Sequence, residues 1–106
     1  MITIVLKQPE QPPTIYHINA IEELEEKLEG EFEVAFDDQL EGISILVNEE
    51  VRGLKPHNFT IETDGSHDWV YGTAIFTRIE EGSLQSLTEE QINTIKEYFS
   101  KTREYK

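Results

Sequence analysis

The sequence predicts an α+β domain: a mostly antiparallel sheet of five to six strands with two helices packed against it, in the order ββαββ(β)βα. Three observations lead there. Apolar residues alternate with period two at Ile2–Lys7, Glu31–Phe36 and Trp69–Ile79, as strands with two unlike faces require. Two other stretches, beginning at Asn19 and Thr88, repeat apolar residues at helical spacing behind polar capping residues. The prolines, and the glycines other than Gly72, fall between these pieces, where turns interrupt regular structure.

Ile2–Lys7 is the first expected strand, with Ile2, Ile4 and Leu6 on one face. Pro9, Pro12 and Pro13 then break the ladder, because proline has no N–H to donate. Thr14–Ile18 returns as a second strand, forming a hairpin. Asn19 is the expected cap of the first helix, with Glu22 as its capping-box partner. Ile21, Leu24 and Leu28 make the apolar stripe, and Gly30 is placed to end the helix in a left-handed conformation.

Glu31–Phe36 follows as a strand, with Phe32, Val34 and Phe36 turned toward the core. Ile43–Val47 is apolar on both faces except for Ser44, so it belongs inside the sheet. It runs into the polar turn Asn48-Glu49-Glu50, and the chain returns through Gly53 and Pro56 to Asn58. Phe59–Glu62 reads as a short strand and Thr63–Asp68 as a polar loop. Trp69–Ile79 reads as one long strand, whose small residues Gly72 and Ala74 leave room for a helix. Glu80–Ser86 reads as a loop. In the last helix, Thr88 and Gln91 form a capping box, Leu87 and Ile92 a hydrophobic staple, and Ile92, Ile95 and Phe99 a core stripe. Lys96, Lys101, Arg103 and Lys106 gather toward its C-terminal end, where the helix dipole favours cations. The expected core is Ile4, Leu24, Leu28, Phe32, Val34, Ile45, Trp69, Ile75, Ile92, Ile95 and Phe99.

A chain of 106 residues is the length of a single domain, expected to span residues 1–106, and it has no cysteine. Disulfides and thiolate chemistry are therefore excluded. The first apolar run is too short for a secretion signal, and nothing approaches the roughly 18 apolar residues of a membrane span. A soluble, cytoplasmic protein is expected. The formal net charge is −13, which repels nucleic acid and anionic membranes. The charge is uneven: residues 1–53 carry 13 acidic and 3 basic side chains, residues 54–106 carry 9 and 6.

No motif for catalysis stands out. His17, His57 and His67 are far apart, and Asp64-x-x-His67-Asp68 matches no established metal spacing. The serines lie in no nucleophile-elbow context, and the six glycines are too scattered for a phosphate loop. No cofactor is expected. Ten carboxylates do crowd into residues 22–41 beside one lysine. Glu22, Glu23, Glu26, Glu29, Glu31, Glu33, Asp37, Asp38 and Glu41 form the candidate belt. Carboxylates one helical turn apart lie about 6 Å from each other, and alternate strand positions lie roughly 6.6 Å apart. Such a row imitates the phosphates of a nucleic-acid strand. A solvated acidic face explains the same composition.

The order of several short pieces resembles a small uncharacterised family from phages, plasmids and conjugative elements, mainly of Gram-positive bacteria. The pieces are Tyr16-x-Ile18 before the Leu24/Leu28 helix; Asn48-Glu49-Glu50 with Gly53-Leu54, Pro56 and Asn58; Gly72-Thr73-Ala74; and Ser86-Leu87-Thr88-x-Glu90-Gln91. Val51-Arg52 departs from the pattern, where a glycine-containing turn is expected. The resemblance implies no established activity, only a mobile-element setting, from which small acidic proteins often disable restriction or CRISPR nucleases.

Two functions are therefore expected ahead of any enzyme. The first is a non-catalytic inhibitor whose acidic belt occupies the basic surface of a host nucleic-acid-handling enzyme. The alternative is a small-molecule or nucleotide-binding module with its pocket at Asn48, Glu49, His57 and Asn58. A concave, partly apolar pocket at those residues favours the second; a flat acidic surface favours the first.

Overall fold

The computed structural model of the chain describes residues 1–100. Lys101, Arg103 and Lys106, expected toward the C-terminal end of the last helix, lie outside the described residues. The elements run β1 (Ile2–Lys7), β2 (Thr14–Ile18), α1 (Glu22–Leu28), β3 (Glu33–Ala35), β4 (Ser44–Val47), a 3-10 turn (Glu49–Val51), β5 (His57–Thr63), β6 (Ser66–Tyr71), β7 (Ala74–Glu80), β8 (Ser83–Gln85) and α2 (Glu89–Ser100). The class is α+β. One antiparallel sheet has the order β2-β1-β7-β4-β3, with β8 also paired to β7, and β5 and β6 form a separate hairpin.

Strand pairing sorts the side chains into two layers. Val5, Phe76, Ile45 and Ala35 lie abreast across β1, β7, β4 and β3. This row faces a core shared with Phe59, Ile61 and Val70 of the hairpin and Ile95, Tyr98 and Phe99 of α2. The next row, Leu6, Ile75, Leu46 and Val34, points to the other side. There Ile4, Ile18, Leu46 and Ile75 cluster with Leu24 and Leu28 of α1. β4 is buried at every position, as its two-faced apolar sequence requires. Phe99 packs edge-on against Phe59 and Phe76 at centroid distances of 5.0 and 5.7 Å, tying α2 to both the hairpin and the sheet.

The last helix opens on the expected cap. The Gln91 N–H donates to Thr88 Oγ1 at 3.1 Å, and the Thr88 N–H donates to Gln91 Oε1 at 2.9 Å. Just before it, the Leu87 N–H donates to the Thr3 carbonyl at 3.0 Å, and the Thr3 N–H donates to Ser86 Oγ at 2.9 Å, fastening the start of α2 to β1.

The structure corrects five expectations. The long strand Trp69–Ile79 is two strands in different sheets, because Gly72 turns the chain at φ +74°. Trp69 consequently sits on the outer face of the hairpin, 50% exposed, rather than in the core. The alternation of Glu31–Phe36 has the opposite phase to that expected: Ala35 points to the larger core, while Val34 and Phe36 are 43% and 54% exposed. The α1 cluster rests on β1, β2, β4 and β7, and no fully buried residue of β3 belongs to it; Phe32 reaches it only partly. The first helix starts later than expected. Ile21 holds its N-cap position without a side-chain hydrogen bond and is exposed, and the Asn19 N–H donates instead to Glu23 Oε2 at 3.0 Å. At its other end Glu29, not Gly30, takes the left-handed conformation, at φ +63°.

The fifth correction concerns the loops. Thr63–Asp68 and Glu80–Ser86 are tight hairpins closed by Asp64-Gly65 and Glu81-Gly82. All four of these residues have positive φ, as a two-residue type I′ turn demands.

Two substitutions check this account by chemical denaturation. Ile45→Ala removes fully buried side-chain volume from the middle of the row and should destabilise by about 3 kcal/mol. Thr88→Ala should destabilise by about 1 kcal/mol through the lost cap.

Candidate functional site

Four separate pieces of chain converge on one cleft of about 380 Å³. The proline-rich β1–β2 loop contributes Gln8, Pro9 and Gln11. The end of α1 contributes Lys27, Leu28 and Glu29. The 3-10 turn and the segment after it contribute Asn48, Val51, Lys55 and Pro56, and the β6–β7 junction contributes Gly72 and Thr73.

Asn48 holds two of these pieces together. Its Nδ2 donates to the carbonyls of Leu28 and Glu29 at 2.9 and 3.3 Å, satisfying the last turn of α1. Its Oδ1 accepts from the Glu50 N–H at 2.9 Å and so opens the 3-10 turn. The approach is tight: a Cβ at residue 30 would lie 2.9 Å from Asn48 Nδ2, which is why glycine stands there. A second close approach forms the back of the cleft. A Cβ at residue 72 would meet Val51 Cγ2 at 3.2 Å and Lys55 Cβ at 3.4 Å. The small residue was expected to admit a helix; it admits this turn instead.

Asn58 fixes the β6–β7 junction from behind. It sits at the irregularity between His57 and Phe59, where the β5–β6 register shifts. Its Nδ2 donates to the carbonyls of Lys7 and Gly72 at 2.8 and 2.7 Å, and its Oδ1 accepts from Lys7 Nζ at 3.0 Å. Lys7 is fully buried, donates also to the Gln8 carbonyl at 2.9 Å, and lies 5.2 Å from the Phe99 ring centroid. Asn58 and Lys7 therefore support the cleft rather than line it.

Of the pocket residues expected from sequence, only Asn48 reaches the cleft wall. Glu49 lies 3.7 Å from Arg52 outside this lining, and His57 is exposed, edge-on to Tyr71 at 5.6 Å. The residues missed are Gln8, Gln11, Lys27, Lys55 and Thr73. Their signal, two lysines flanking a glycine-dependent turn, emerges only once the chain is known to break at Gly72.

The acidic belt is divided. Glu22 and Glu26 are exposed on α1, with Glu25 beside them. Glu33 shares the opposite face of the sheet with Ala35. Glu31 and Glu41 are exposed in connections. Glu23 is taken by the Asn19 N–H, and Glu29 lies 3.2 Å from Lys55. Asp38 Oδ2 accepts from the Asp64 N–H at 2.9 Å. Asp37 is buried and leaves the belt altogether: Oδ1 accepts from the Gln39 N–H at 2.8 Å, and Oδ2 from the Glu62 N–H at 2.9 Å and the Tyr98 hydroxyl at 2.7 Å.

Chemically, the cleft offers a hydroxyl, three side-chain amides, two ammonium groups and one carboxylate, over apolar walls from Leu28, Val51, Pro9 and Pro56. No histidine lines it beside the Thr73 hydroxyl. Among the described residues, no three His, Asp or Glu side chains group as metal ligands, and no helix is long and apolar enough to cross a membrane.

Comparison with curated proteins and with solved structures finds no match. A family model does match, over residues 2–100, nearly the whole chain. The protein thus belongs to the family described as Domain of unknown function (DUF3846).

Proposed function

We propose that this domain is a non-catalytic binding module that takes a small polar molecule, of metabolite or nucleotide size, in the cleft between α1, the 3-10 turn and the β1–β2 loop. The observation that carries the reading is the cleft itself. Its volume of about 380 Å³ lies in the range of small-molecule sites. Among the described residues, the side chains of Gln8, Gln11 and Thr73 make no hydrogen bond within the protein, which leaves them for a ligand. The absence of cysteine accords with a reducing, cytoplasmic setting.

A thermal-shift screen of metabolites and nucleotides tests this. A ligand at 100 times its Kd should stabilise the fold by about 2.7 kcal/mol. Gln8→Trp fills the cleft from an exposed position without touching the core. It should remove the shift while leaving the unliganded melting temperature nearly unchanged. A shift that survives Gln8→Trp, or a screen with no stabilising compound, counts against the reading.

A second reading, the acidic decoy, draws on one further observation. Glu22, Glu25 and Glu26 are exposed and make no ion pair among the described residues. In this reading they occupy the basic surface of a host nucleic-acid-handling enzyme, in the mobile-element setting that the resemblance implies. Displacement of labelled duplex DNA from such a partner should weaken steeply with salt, since exposed charges are screened within about 8–10 Å. Reversal of Glu22, Glu25 and Glu26 to lysine should abolish displacement, and reversal of Glu33, on the other face, should not. Equal displacement by wild-type and α1-reversed protein would sink the decoy.

A further inference from the structure

Resting on the binding-module reading, we infer that the cleft selects an anionic group, a carboxylate or a phosphate, held between Lys27 and Lys55, with Glu29 as the internal carboxylate that the ligand displaces. The charge around the cleft runs against the charge of the chain. The whole protein carries −13, yet the cleft lining has two ammonium groups and a single carboxylate. The lining is therefore net positive, and a positive cleft between low-dielectric walls concentrates anions.

Lys27 is the sharper clue. Glu23 stands four residues before it on the same helix, the most favourable spacing for a helical ion pair. Glu23 does not take that role; it accepts the Asn19 N–H. Lys27 instead lies over the Tyr16 ring, its ammonium 3.9 Å from the centroid, half-buried and without an ion pair among the described residues. An ammonium held by an aromatic face on one side keeps its other side for an anion.

Lys55 shows what such an anion would be. Glu29 Oε1 lies 3.2 Å from Lys55 Nζ. Glu29 reaches this position from the left-handed backbone that ends α1, at φ +63°. Both partners are exposed, so the pair is weak and exchangeable. The nearby helix C-terminus would ordinarily oppose an anion, but Asn48 caps the carbonyls of Leu28 and Glu29. Gln8, Gln11 and Thr73 complete the set with neutral donors.

The test is an amide-resolved NMR titration of the full chain at constant ionic strength with inorganic phosphate, with succinate, and with succinamide, its uncharged counterpart. Phosphate or succinate should give saturable shifts at Lys55, Gly72 and Thr73, and succinamide should not. A response to one anion alone assigns the group as phosphate or carboxylate. Lys27→Gln and Lys55→Gln should each weaken binding at least tenfold, and Glu29→Gln, which removes the competing carboxylate, should tighten it several-fold. Native shift dispersion in each variant shows that the fold is kept. Equal response to succinate and succinamide overturns the inference and leaves the binding module standing. So does silence with both anions when the thermal screen finds a neutral ligand that Gln8→Trp rejects. Unchanged or weaker binding in Glu29→Gln overturns the displacement.

Discussion

One buried asparagine joins the two sheets of this protein. Asn58 leaves the β5–β6 hairpin at its irregular position and binds the backbone of β1 and of the β6–β7 junction with both amide hydrogens. Its oxygen receives the fully buried ammonium of Lys7. A charge in that position is tolerated only when its donors are met, so the hairpin, the first strand and the turn at Gly72 are positioned together. The cleft inherits its shape from this junction, because Gly72 and Thr73 form its back wall and Gln8 follows Lys7 directly.

The apolar layers take their order from the same constraint. β7 can lie between β1 and β4 only because the chain turns at Gly72 and leaves the hairpin behind. Phe76 then meets Phe59 at 5.8 Å and Phe99 at 5.7 Å, so sheet, hairpin and α2 share one aromatic centre. On the opposite face, α1 has seven residues and buries only Leu24 and Leu28. Its remaining positions are free to carry charge, which is where the glutamates accumulate.

What could be read in the sequence was local. The capping box at Thr88 and Gln91 is complete within four residues, and the two-faced apolar run of β4 carries its own burial. What failed depended on partners distant in the chain. Val34 and Ala35 alternate equally well in either phase, and only the unequal cover on the two faces of the sheet decides between them. Trp69 fits the alternation of Ile75, yet Gly72 places them in different sheets. The turns at Asp64-Gly65 and Glu81-Gly82 are local too, but their polar neighbours fit a loop as well as a hairpin. The cleft was the least legible feature, since Lys27, Lys55 and Gln8 come from three connections that nothing in their spacing links.

The position of Trp69 has an optical consequence. It is the only tryptophan, and it stands half in water on the outer face of the β5–β6 hairpin, its carbonyl held by Arg52 at 3.0 Å. Indole emission from the native protein is therefore red-shifted from the start, and it reports on the hairpin rather than on the aromatic centre beneath. Far-ultraviolet circular dichroism weighs the whole backbone. Coincidence of the two signals during unfolding measures whether the Asn58 junction makes the hairpin and the main sheet one cooperative unit.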